Sequence, residues 1–410
     1  MDMKKTVWCI SKYASPPKYG VGARLFYVAR EFSRMGVNTL LISSDSNHLA
    51  KYPSSDKSYN SEMYENLEHV WIKTKKYSKS ASLNRFMSWF DFELKLFKLP
   101  RSKYLKPDVV IISSLSIFTI IYGAFLKLKY KCKLVFEIRD IYPLTLTEEF
   151  GVNKLHPMII ILGFLEKFGY RYSDLIVGTM PNLKQHVAER IGRAKDVFYS
   201  PLGIHERWSN SLPFKNDSID ELFPDNDKFV VGYAGSMGTS NALHSFIQSI
   251  KKLSDNREIY FVLVGAGDLK NEFEEELSSF ENVVIGPKIS QDDIPYFLSK
   301  CDVLYLSAHD SKIWEYGQSL NKLIDYMMAG KPVIASYSGY QSMLNEANSG
   351  LFIPTKSEEA IIDAIHYFSK MSSQERIDMG AKGKDWIEQN HDYKVISENY
   401  YNKICTLIES

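Results

Sequence analysis

The feature that most constrains the fold is a repeated pair of segments: a short apolar run ending at a glycine or turn residue, then a helical pattern. The second half of the chain contains five such runs, at 228–235, 258–265, 282–286, 302–307 and 331–336. Buried parallel strands form continuous apolar runs because helices cover both faces of their sheet. The alternation therefore predicts an α/β fold with a parallel sheet.

The first half of the chain shows the same alternation. A strand is predicted at Thr6–Ile10 and a helix at 23–35, where apolar residues recur at helical spacing until Gly36. Further apolar runs of strand length follow at 37–43, 107–113, 133–139 and 174–178. This order of strand, glycine loop, helix and strand is typical of parallel βαβ units.

The two sets of runs predict two domains within the 410 residues. We expect a first domain at 1–205 and a second at 206–391, joined by a polar, turn-rich linker near 201–227. Two parallel sheets in tandem leave a cleft between the domains, and the carboxyl ends of the strands face it. The predicted fold class is α/β with two Rossmann-like domains.

Composition excludes several kinds of protein. Hydrophobic residues make up 45% of the chain and charged residues 24%, which is typical of a globular protein and not of a disordered one. The four cysteines form no CxxC pair, so neither a disulfide framework nor a zinc ribbon is expected. No apolar stretch reaches the roughly 18 residues that span a bilayer, and no secretory peptide is recognised, so we expect a cytoplasmic protein.

Charge is distributed unequally along the chain, although the net charge is only +1. Residues 1–200 carry 31 Lys and Arg against 18 Asp and Glu, and the remainder carries 19 against 31. A basic first half either meets an anionic ligand or surface, or attracts the acidic second half. Both interpretations stay open at this point.

Glycine turns follow predicted strands in both halves. They contain Gly20 and Gly22, Gly235 and Gly238, Gly265 and Gly267, and the run from 317 to 325. Glycine lets backbone amides approach an anion, and a following helix N-terminus favours negative charge, although glycine also ends strands for steric reasons. Together the turns favour a diphosphate ligand. The absence of GxGxxG after the first strand disfavours a dinucleotide oxidoreductase.

The most informative element is a helix predicted at 320–328, which is followed by glycine and a Lys-Pro pair. Asn321, Lys322 and Asp325 lie about one turn apart, so they share one polar edge. Lys322 would neutralise a diphosphate, and Asp325 would bind ribose hydroxyls. The alternative is a solvated Lys–Asp pair on the helix surface.

This segment resembles the C-terminal signature of the GT4 family of retaining glycosyltransferases, which have the GT-B fold. The resemblance extends along the chain through the Pro-Pro-Lys-Tyr-Gly-Val-Gly loop, Val-Gly-Tyr-Ala-Gly-Ser-Met-Gly at 231–238 and Val-Gly-Ala-Gly-Asp at 264–268. It implies that Asp325 binds the ribose of a nucleotide and that amides near Leu320 and Asn321 hold the donor diphosphate. It also implies that a last helix, at 392–410, completes the first domain.

Two departures from the family pattern change the expected site. Gly317 stands at the first acidic position, eight residues before Asp325. Ser236 and Asn241 occupy the region in which many members carry Arg and Lys. Lys322 therefore takes the cationic role. The form Ser-x-Asn-Lys-x-x-Asp-Tyr resembles the fucosaminyltransferases of O-antigen and capsule assembly.

The resemblance implies one set of substrate-binding positions, at strand ends and at the helix start. They are Gly20, Gly22, Arg24, Gly235, Ser236, Gly238, Gly265, Gly267, Lys270, Ile289, Ser319, Leu320, Asn321 and Asp325. Arg24 and Lys270 are expected to assist Lys322. Arg139 and Asp140 follow a predicted strand, where charged residues open onto the ligand crevice and where the family carries its reaction centre. We predict both as catalytic with Lys322; a structural Arg–Asp pair is the alternative.

Other ligands are predicted from composition. Basic and aromatic residues mix between 71 and 106, which is typical of a stretch on an anionic membrane surface or of a core helix with extended lysines; the basic first half favours the membrane. Asp225-Asn226-Asp227 has the DxD spelling of metal sites, but its position before a strand favours a turn, so neither metal nor cofactor is expected. No nucleic-acid recognition motif is present.

These features predict a metal-independent retaining glycosyltransferase. It would move an N-acetylated amino or deoxy sugar from a UDP-sugar to a lipid-linked saccharide, at the inner face of the cytoplasmic membrane, in bacterial O-antigen or capsule synthesis. One alternative is a nucleotide-sugar epimerase of the same fold. The other is a catalytically inactive partner subunit, because the acid is missing at Gly317.

Overall fold

The computed structural model describes residues 5–19, 23–47, 56–77, 83–208, 215–224 and 227–409. The chain divides into two compact units. Unit 1 comprises Met1–Leu202 with Tyr393–Ser410, and unit 2 comprises Gly203–Asp392. Within the described ranges, no helix is both long and apolar enough to cross a membrane.

The sheet of unit 1 has eight strands among the described residues, in the order β3-β4-β2-β1-β5-β6-β7-β8. They are β1 (Thr6–Ile10), β2 (Asn38–Ser44), β3 (Tyr59–Tyr64), β4 (Leu67–Ile72), β5 (Val109–Ser113), β6 (Lys133–Ile138), β7 (Leu175–Gly178) and β8 (Val197–Tyr199). Neighbouring strands are parallel except β3 and β4 at one edge, which are antiparallel. β1 and β5 are buried along their whole length, as strands with helices on both faces must be.

Helices cover both faces of this sheet. They are α1 (Ala23–Arg34), α2 (Leu83–Phe97), α3 (Thr119–Tyr130), α4 (Leu144–Glu148), α5 (Pro157–Tyr172), α6 (Leu183–Ile191) and, at the end of the chain, α15 (Tyr393–Glu409). α15 packs on α1 through aromatic pairs: Tyr27 and Tyr393 have ring centroids 4.5 Å apart, and Phe32 and Tyr400 5.8 Å apart. The last helix therefore belongs to the core of unit 1.

The sheet of unit 2 has six parallel strands in the part of the chain that is described, in the order β11-β10-β9-β12-β13-β14. They are β9 (Phe229–Ala234), β10 (Ile259–Val264), β11 (Val283–Gly286), β12 (Val303–Ser307), β13 (Val333–Ser336) and β14 (Gly350–Ile353). The chain proceeds from β9 toward one edge and then returns to place β12 on the other side of β9. Ligands of open α/β sheets bind at such a reversal, beyond the carboxyl ends of the strands.

The helices of unit 2 lie between and after these strands. They are α7 (Asp217–Asp220), α8 (His244–Lys252), α9 (Lys270–Leu277), α10 (Ile294–Ser299), α11 (Asn321–Met328), α12 (Leu344–Ala347), α13 (Glu358–Lys370) and α14 (Ser373–His391). α11 begins after Leu320 and is followed by Gly330, whose φ of 65° is left-handed and suits glycine. The rest of its sequence is buried from Leu323 to Met328, so only its first turn remains accessible.

The α/β fold class with two parallel sheets is confirmed, and the five runs of the second half are strands β9 to β13. Two features differ from the expectation. The antiparallel pair β3–β4 has no counterpart in the predicted strands. The stretch at 71–106 is not one surface segment, because Trp71 and Ile72 are buried in β4 whereas Leu83–Phe97 forms α2.

Candidate functional site

The loops after β9 and β10 run side by side because glycine allows their backbones to touch. A Cβ at Gly265 would lie 1.8 Å from the carbonyl oxygen of Gly235, and one at Gly267 would lie 2.3 Å from the backbone of Met237. The amide of Met237 donates to the carbonyl oxygen of Ala266 at 2.9 Å. Only glycine fits both positions without moving the loops.

A pocket of about 350 Å³ opens beside these loops, in the size range of small-ligand sites. Its lining comes from the carboxyl ends of β9, β10 and β11: Gly235, Ser236, Val264, Gly265, Ala266, Lys288, Ile289, Gln291 and Ile294. Four predicted substrate-binding residues, Gly235, Ser236, Gly265 and Ile289, are therefore brought together in unit 2. Gly238 lies in the same loop, where a Cβ would meet the Asp268 carboxylate at 2.9 Å.

Lys322 reaches from the first turn of α11 to the loop after β9. Its Nζ donates to the hydroxyl of Tyr233 at 2.9 Å and to Oδ1 of Asn241 at 3.1 Å. The Tyr233 hydroxyl donates in turn to the carbonyl oxygen of Ser236, at 2.6 Å, which links the ammonium to the pocket lining. Burial lowers the pKa of Lys322 from 10.5 to about 7. This lysine is no solvated surface side chain.

The start of α11 has no side-chain cap. Leu320 is the N-cap, and no side chain accepts a hydrogen bond from the first turn there. The first amides of a helix have no partner within the helix, so they are available to an anion. Ser319 and Leu320 are partly exposed and Asn321 is exposed, whereas the side chain of Asn321 hydrogen-bonds His205. Burial and the charge of Arg207 lower the pKa of His205.

Asp325 lies in a buried ion pair that the sequence did not reveal. Nη2 of Arg207 donates to Oδ1 and Oδ2 of Asp325 at 2.7 and 2.6 Å, and Nε1 of Trp208 donates to Oδ1 at 2.8 Å. The surface Lys–Asp pair considered as an alternative is therefore wrong, because Asp325 pairs with Arg207 and Lys322 with Tyr233 and Asn241. The predicted ribose contact of Asp325 stays a prediction, and a ribose would share the carboxylate with Arg207.

Gln318 is a further candidate site residue that the sequence analysis does not predict. It precedes α11, next to Gly317, and its side chain is 1% exposed. Neither its amide nitrogen nor its amide oxygen has a hydrogen-bond partner among the described residues. Buried polar groups are nearly always hydrogen-bonded, and leaving one without a partner costs about 1–3 kcal/mol. Both atoms of Gln318 are therefore available to a ligand.

The two predicted helper cations are already paired. Arg24 is 2% exposed and its Nη2 lies 3.3 Å from Oε2 of Glu137 and 2.9 Å from Oγ of Ser200, inside unit 1. Lys270 forms an ion pair with Glu274, one turn along α9, at 3.1 Å. Arg24 is therefore part of the interior of unit 1, whereas the helper role of Lys270, which pairs with a partly exposed glutamate, stays a prediction. Gly20 and Gly22 lie outside the described residues.

Arg139 and Asp140 follow β6 directly, at the carboxyl edge of the unit 1 sheet. The backbone amide of Arg139 donates to Oγ of Ser114 at 3.1 Å. Among the described residues, Nε and Nη1 of Arg139 are buried without a partner. Burial raises the pKa of Asp140, and the charge of Arg139 opposes that shift. The two charges influence one another, and the guanidinium retains donors for a ligand.

A lysine and a glutamate near this edge were not predicted. Lys12, which follows β1, is fully buried; its Nζ lies 3.4 Å from the carbonyl oxygen of Ser46. Glu93 of α2 accepts from Oγ1 of Thr119 at 2.6 Å and Oγ of Ser116 at 3.1 Å, while its other oxygen is buried without a partner in the described part of the chain. Burial lowers the pKa of Lys12 and raises that of Glu93, each to about 7.

Metal-ligating side chains do not gather in the described ranges: no group of three or more His, Cys, Asp or Glu could hold an ion there. Of the DxD spelling, Asp225 and Asn226 lie outside the described residues. The cysteines at 9, 132 and 301 are buried free thiols, and Cys405 is a partly buried one.

The comparisons with known proteins agree with this architecture. Residues 228–370 match the family described as Glycosyl transferases group 1. No curated protein sequence matches the chain. Sucrose-phosphate synthase from Thermosynechococcus elongatus superposes with a TM-score of 0.74 at 15% identity, covering 99% of this chain and 100% of that one.

Two further solved structures are similar over nearly their whole length. A trehalose-6-phosphate protein from E. coli, bound with UDP-2-fluoro glucose, has a TM-score of 0.70 at 12% identity and covers 99% of each chain. HepE from Anabaena, in complex with UDP and glucose, has a TM-score of 0.64 at 14% identity and covers 98% of this chain and 100% of its own. Identities this low establish the fold alone.

The two Rossmann-like units give the chain the fold of GT-B glycosyltransferases. More particularly, the segment of unit 2 that matches the glycosyl transferases group 1 model contains β9 to β14, α11 and the pocket.

Proposed function

We propose that this protein is a retaining glycosyltransferase that moves a sugar from a UDP-sugar to a lipid-linked saccharide in the synthesis of a bacterial surface polysaccharide. The sugar is an N-acetylated amino or deoxy sugar, and the reaction takes place at the cytoplasmic face of the membrane. The observation that carries the proposal is Lys322, a partly buried lysine joined through Tyr233 to the pocket residue Ser236.

Unit 2 supplies the donor site in this proposal. The pocket at the ends of β9, β10 and β11 receives the nucleotide base, while the uncapped amides at Leu320 and Asn321 and the ammonium of Lys322 receive the diphosphate. Breaking the sugar–phosphate bond leaves negative charge on the departing diphosphate, and donors fixed in place beforehand stabilise that charge. Since this chain's amides and lysine supply the positive charge, we propose that no metal ion or cofactor is required.

The choice of a UDP-sugar draws on the solved relatives, among which the E. coli protein was bound with UDP-2-fluoro glucose and HepE with UDP and glucose. Gln318 supports recognition of the sugar itself. Its amide, which has no partner in the described part of the chain, offers one donor and one acceptor group beside Gly317, where the family's acid is missing. A neutral amide suits sugar hydroxyl or N-acetyl groups without adding negative charge beside the diphosphate.

Unit 1 supplies the acceptor side. The guanidinium of Arg139, Asp140, Lys12 and Glu93 lie near the carboxyl ends of its strands, where ligands of parallel sheets bind. Among the residues that the structure describes, these side chains include donors and acceptors without partners, as a polyhydroxylated saccharide requires. The basic balance of residues 1–200 favours a diphosphate-linked lipid carrier.

Binding of nucleotides tests the donor site. UDP, GDP and dTDP are each added to the purified protein and the melting temperature is followed, because a ligand of the native state raises it. We expect UDP to give the largest rise, and Lys322→Met to remove most of it. Lys384→Met is the matched control, since Lys384 pairs with Glu388 on the exposed surface of α14. No rise with any nucleotide would contradict the proposal.

Product analysis then tests the reaction. Transfer is followed with a panel of UDP-sugars and lipid-diphosphate saccharide acceptors, and the anomeric configuration of the product is read by NMR. Transfer with retention is expected. A new UDP-sugar formed without an acceptor would identify an epimerase instead, and UDP binding without transfer or hydrolysis would identify an inactive partner subunit.

A further inference from the structure

Three helices of unit 1 lie side by side on one face of its sheet. α2 packs on α3, where the rings of Phe97 and Tyr122 have centroids 5.1 Å apart and Thr119 donates to Glu93. α3 packs on α5, where Gly169 lies against Ile120 and the strand residue Phe136. The three helices therefore form one layer.

The outer side of this layer is apolar, although a solvated helix ordinarily presents polar residues outward. In α5, Leu162 and Leu165 face the core, whereas Phe164 is 71% exposed and Ile160 is 59% exposed on the other side. Leu128 of α3 is 72% exposed.

Elements next to α3 and α5 also expose large apolar side chains. Leu94 of α2 is 63% exposed, and in the loop before α5 Leu155 is 80% exposed. Single exposed apolar residues are common, but successive helices that each expose large ones mark an interaction surface. We call this surface the three-helix face and define it by Leu94, Leu128, Leu155, Ile160 and Phe164.

The fully exposed charges on α2, α3 and α5 are basic, and Glu148 of the preceding α4 pairs with Lys154 beside Leu155. Lys98, Lys129, Lys167 and Arg171 are exposed. Residues 119–131 contain no acid, and the one acid of 150–172, Glu166, is 1% exposed and paired with His186 and Arg190. The acids of α2 are also engaged: Asp91 pairs with Lys95, and Glu93 binds the hydroxyls described above.

A groove of about 240 Å³ lies at the C-terminal end of α5 and combines apolar surface with positive charge. Its lining is Phe164, Lys167, Phe168, Arg171 and Tyr172, and the rings of Phe168 and Tyr172 are stacked with centroids 5.2 Å apart. An aromatic floor with two cations beside it suits the boundary between lipid headgroups and acyl chains.

We propose that the three-helix face docks on an anionic lipid bilayer, with Ile160 and Phe164 inserted among the acyl chains and Lys167 and Arg171 on the headgroup phosphates. This docking deepens the proposed function and rests on it, because a lipid-linked acceptor has to be reached at a membrane. The membrane contact is then the three-helix face and not the whole stretch at 71–106, because α2 is the part of that stretch that belongs to the face. A second copy of the chain is a poorer partner, since a two-fold dimer would place these cations opposite one another.

Flotation with vesicles tests the proposal. The protein is mixed with vesicles of phosphatidylcholine alone or of phosphatidylcholine with phosphatidylglycerol. We expect flotation with the second kind, a loss in high salt, and a bound fraction lowered about tenfold or more by Phe164→Glu and by Leu128→Glu. Ile377→Glu is the matched control: Ile377 is 58% exposed on α14 of unit 2, and we expect no change there.

Three results would overturn the proposal: no flotation of the wild-type protein with phosphatidylglycerol, an equal loss in the Ile377 control, or a dimer in solution that Phe164→Glu dissociates while flotation is absent. Far-UV circular dichroism and the melting temperature confirm that each variant is folded, which is expected because all three positions are exposed. The UDP-induced rise in melting temperature is measured alongside. Flotation without that rise contradicts the proposed function and still supports membrane docking by the three-helix face. A rise without flotation supports the donor site and contradicts the docking.

Discussion

Both oxygens of the Asp325 carboxylate accept hydrogen bonds from one nitrogen of Arg207, at 2.7 and 2.6 Å. The two residues are far apart in the chain: Arg207 lies in the short turn that opens unit 2, and Asp325 lies in the middle of α11. Each side chain keeps about a tenth of its surface exposed. The pair therefore fixes the helix that carries Lys322 to the first residues of the unit.

Removing Asp325 should destabilise the protein as well as weaken nucleotide binding. Asp325→Ala leaves a buried guanidinium without its partner, and breaking such a pair costs about 3–5 kcal/mol in the free energy of unfolding. The double variant Asp325→Ala, Arg207→Ala should lose much less than the sum of the losses in Asp325→Ala and Arg207→Ala. Urea unfolding of the four proteins measures this coupling. Additive losses would show that the ion pair contributes nothing specific to folding.

The affinity for UDP should depend on pH through Lys322. Burial lowers its pKa from 10.5 to about 7, so the free protein loses the positive charge as the pH rises above 7. A bound diphosphate raises that pKa again, and binding above pH 7 therefore takes up a proton. Because the terminal phosphate of UDP, with a pKa of about 6, is already mostly ionised there, affinity should fall by up to about tenfold per pH unit.

Calorimetry in buffers of different ionisation enthalpy measures the proton uptake directly. Lys322→Met should bind UDP more weakly near neutral pH and lose the pH dependence. The same burial makes the unfolded chain bind more protons than the native one between about pH 7 and about pH 10.5, so the lysine makes native stability rise with pH in that window. An affinity for UDP that is constant across this range would remove Lys322 from the diphosphate site.

The strands and the glycine turns can be predicted from the sequence because their signals are local. An apolar run of strand length ending at glycine needs no knowledge of the rest of the chain, and the start of α11 is predicted within one residue. The partners of Asp325 and Lys322 cannot be predicted this way. Arg207 lies in a segment whose composition indicates a linker, and Asn241 contacts Lys322 only after β9 and β12 have been placed next to one another.

Burial in the folded protein also explains three features that the sequence does not predict. It leaves the Gln318 amide without a partner among the described residues, and it shifts the pKa values of Lys12 and Glu93. Each of these residue types is ordinarily exposed, so the sequence alone favours a solvated side chain. The antiparallel pair β3–β4 cannot be predicted from the sequence for a different reason. β3 is half-exposed at the sheet edge and contains polar residues at most positions, so it lacks the continuous apolar run by which the buried strands are recognised.

Replacing Gln318 by leucine should separate stability from activity. Leucine has a similar volume and carries no polar atoms, so burying it removes the cost of an unsatisfied amide, about 1–3 kcal/mol. We expect a higher melting temperature without ligand, unchanged affinity for UDP, and a fall of about tenfold or more in kcat/KM for the UDP-sugar. The measurements are thermal unfolding, UDP calorimetry and transfer kinetics. A variant that is more stable and fully active would exclude Gln318 from sugar recognition.

Gly265→Ala should disturb the donor pocket. The new methyl group would lie 1.8 Å from the carbonyl oxygen of Gly235, so the loops after β9 and β10 must separate. Overpacking of this kind costs about 1–3 kcal/mol, and the lining of the pocket moves with the loops. We expect a lower free energy of unfolding and weaker UDP binding.

Gly192→Ala is the matched control for this substitution. Gly192 follows α6 in unit 1 with a φ of 71°, and a Cβ there meets none of the described residues within 4 Å. Its replacement should cost about 1 kcal/mol through backbone strain alone and leave the UDP affinity unchanged. Equal affinities for UDP in the two variants would show that the close approach of the loops does not shape the nucleotide site.

Glu93→Gln should change how stability depends on pH. Burial raises the pKa of Glu93 from 4.5 to about 7, so the native protein binds a proton that the unfolded chain releases between these values. Stability from this group is therefore fully present below about pH 4.5 and is lost as the pH rises toward 7. The free energy of unfolding of the variant, minus that of the wild type, should rise across this window. Glu388→Gln, at an exposed carboxylate of α14, should show a flat difference. If the Glu93 difference is flat as well, that carboxyl is solvated in the native protein, and its place on the acceptor side of unit 1 is lost with it.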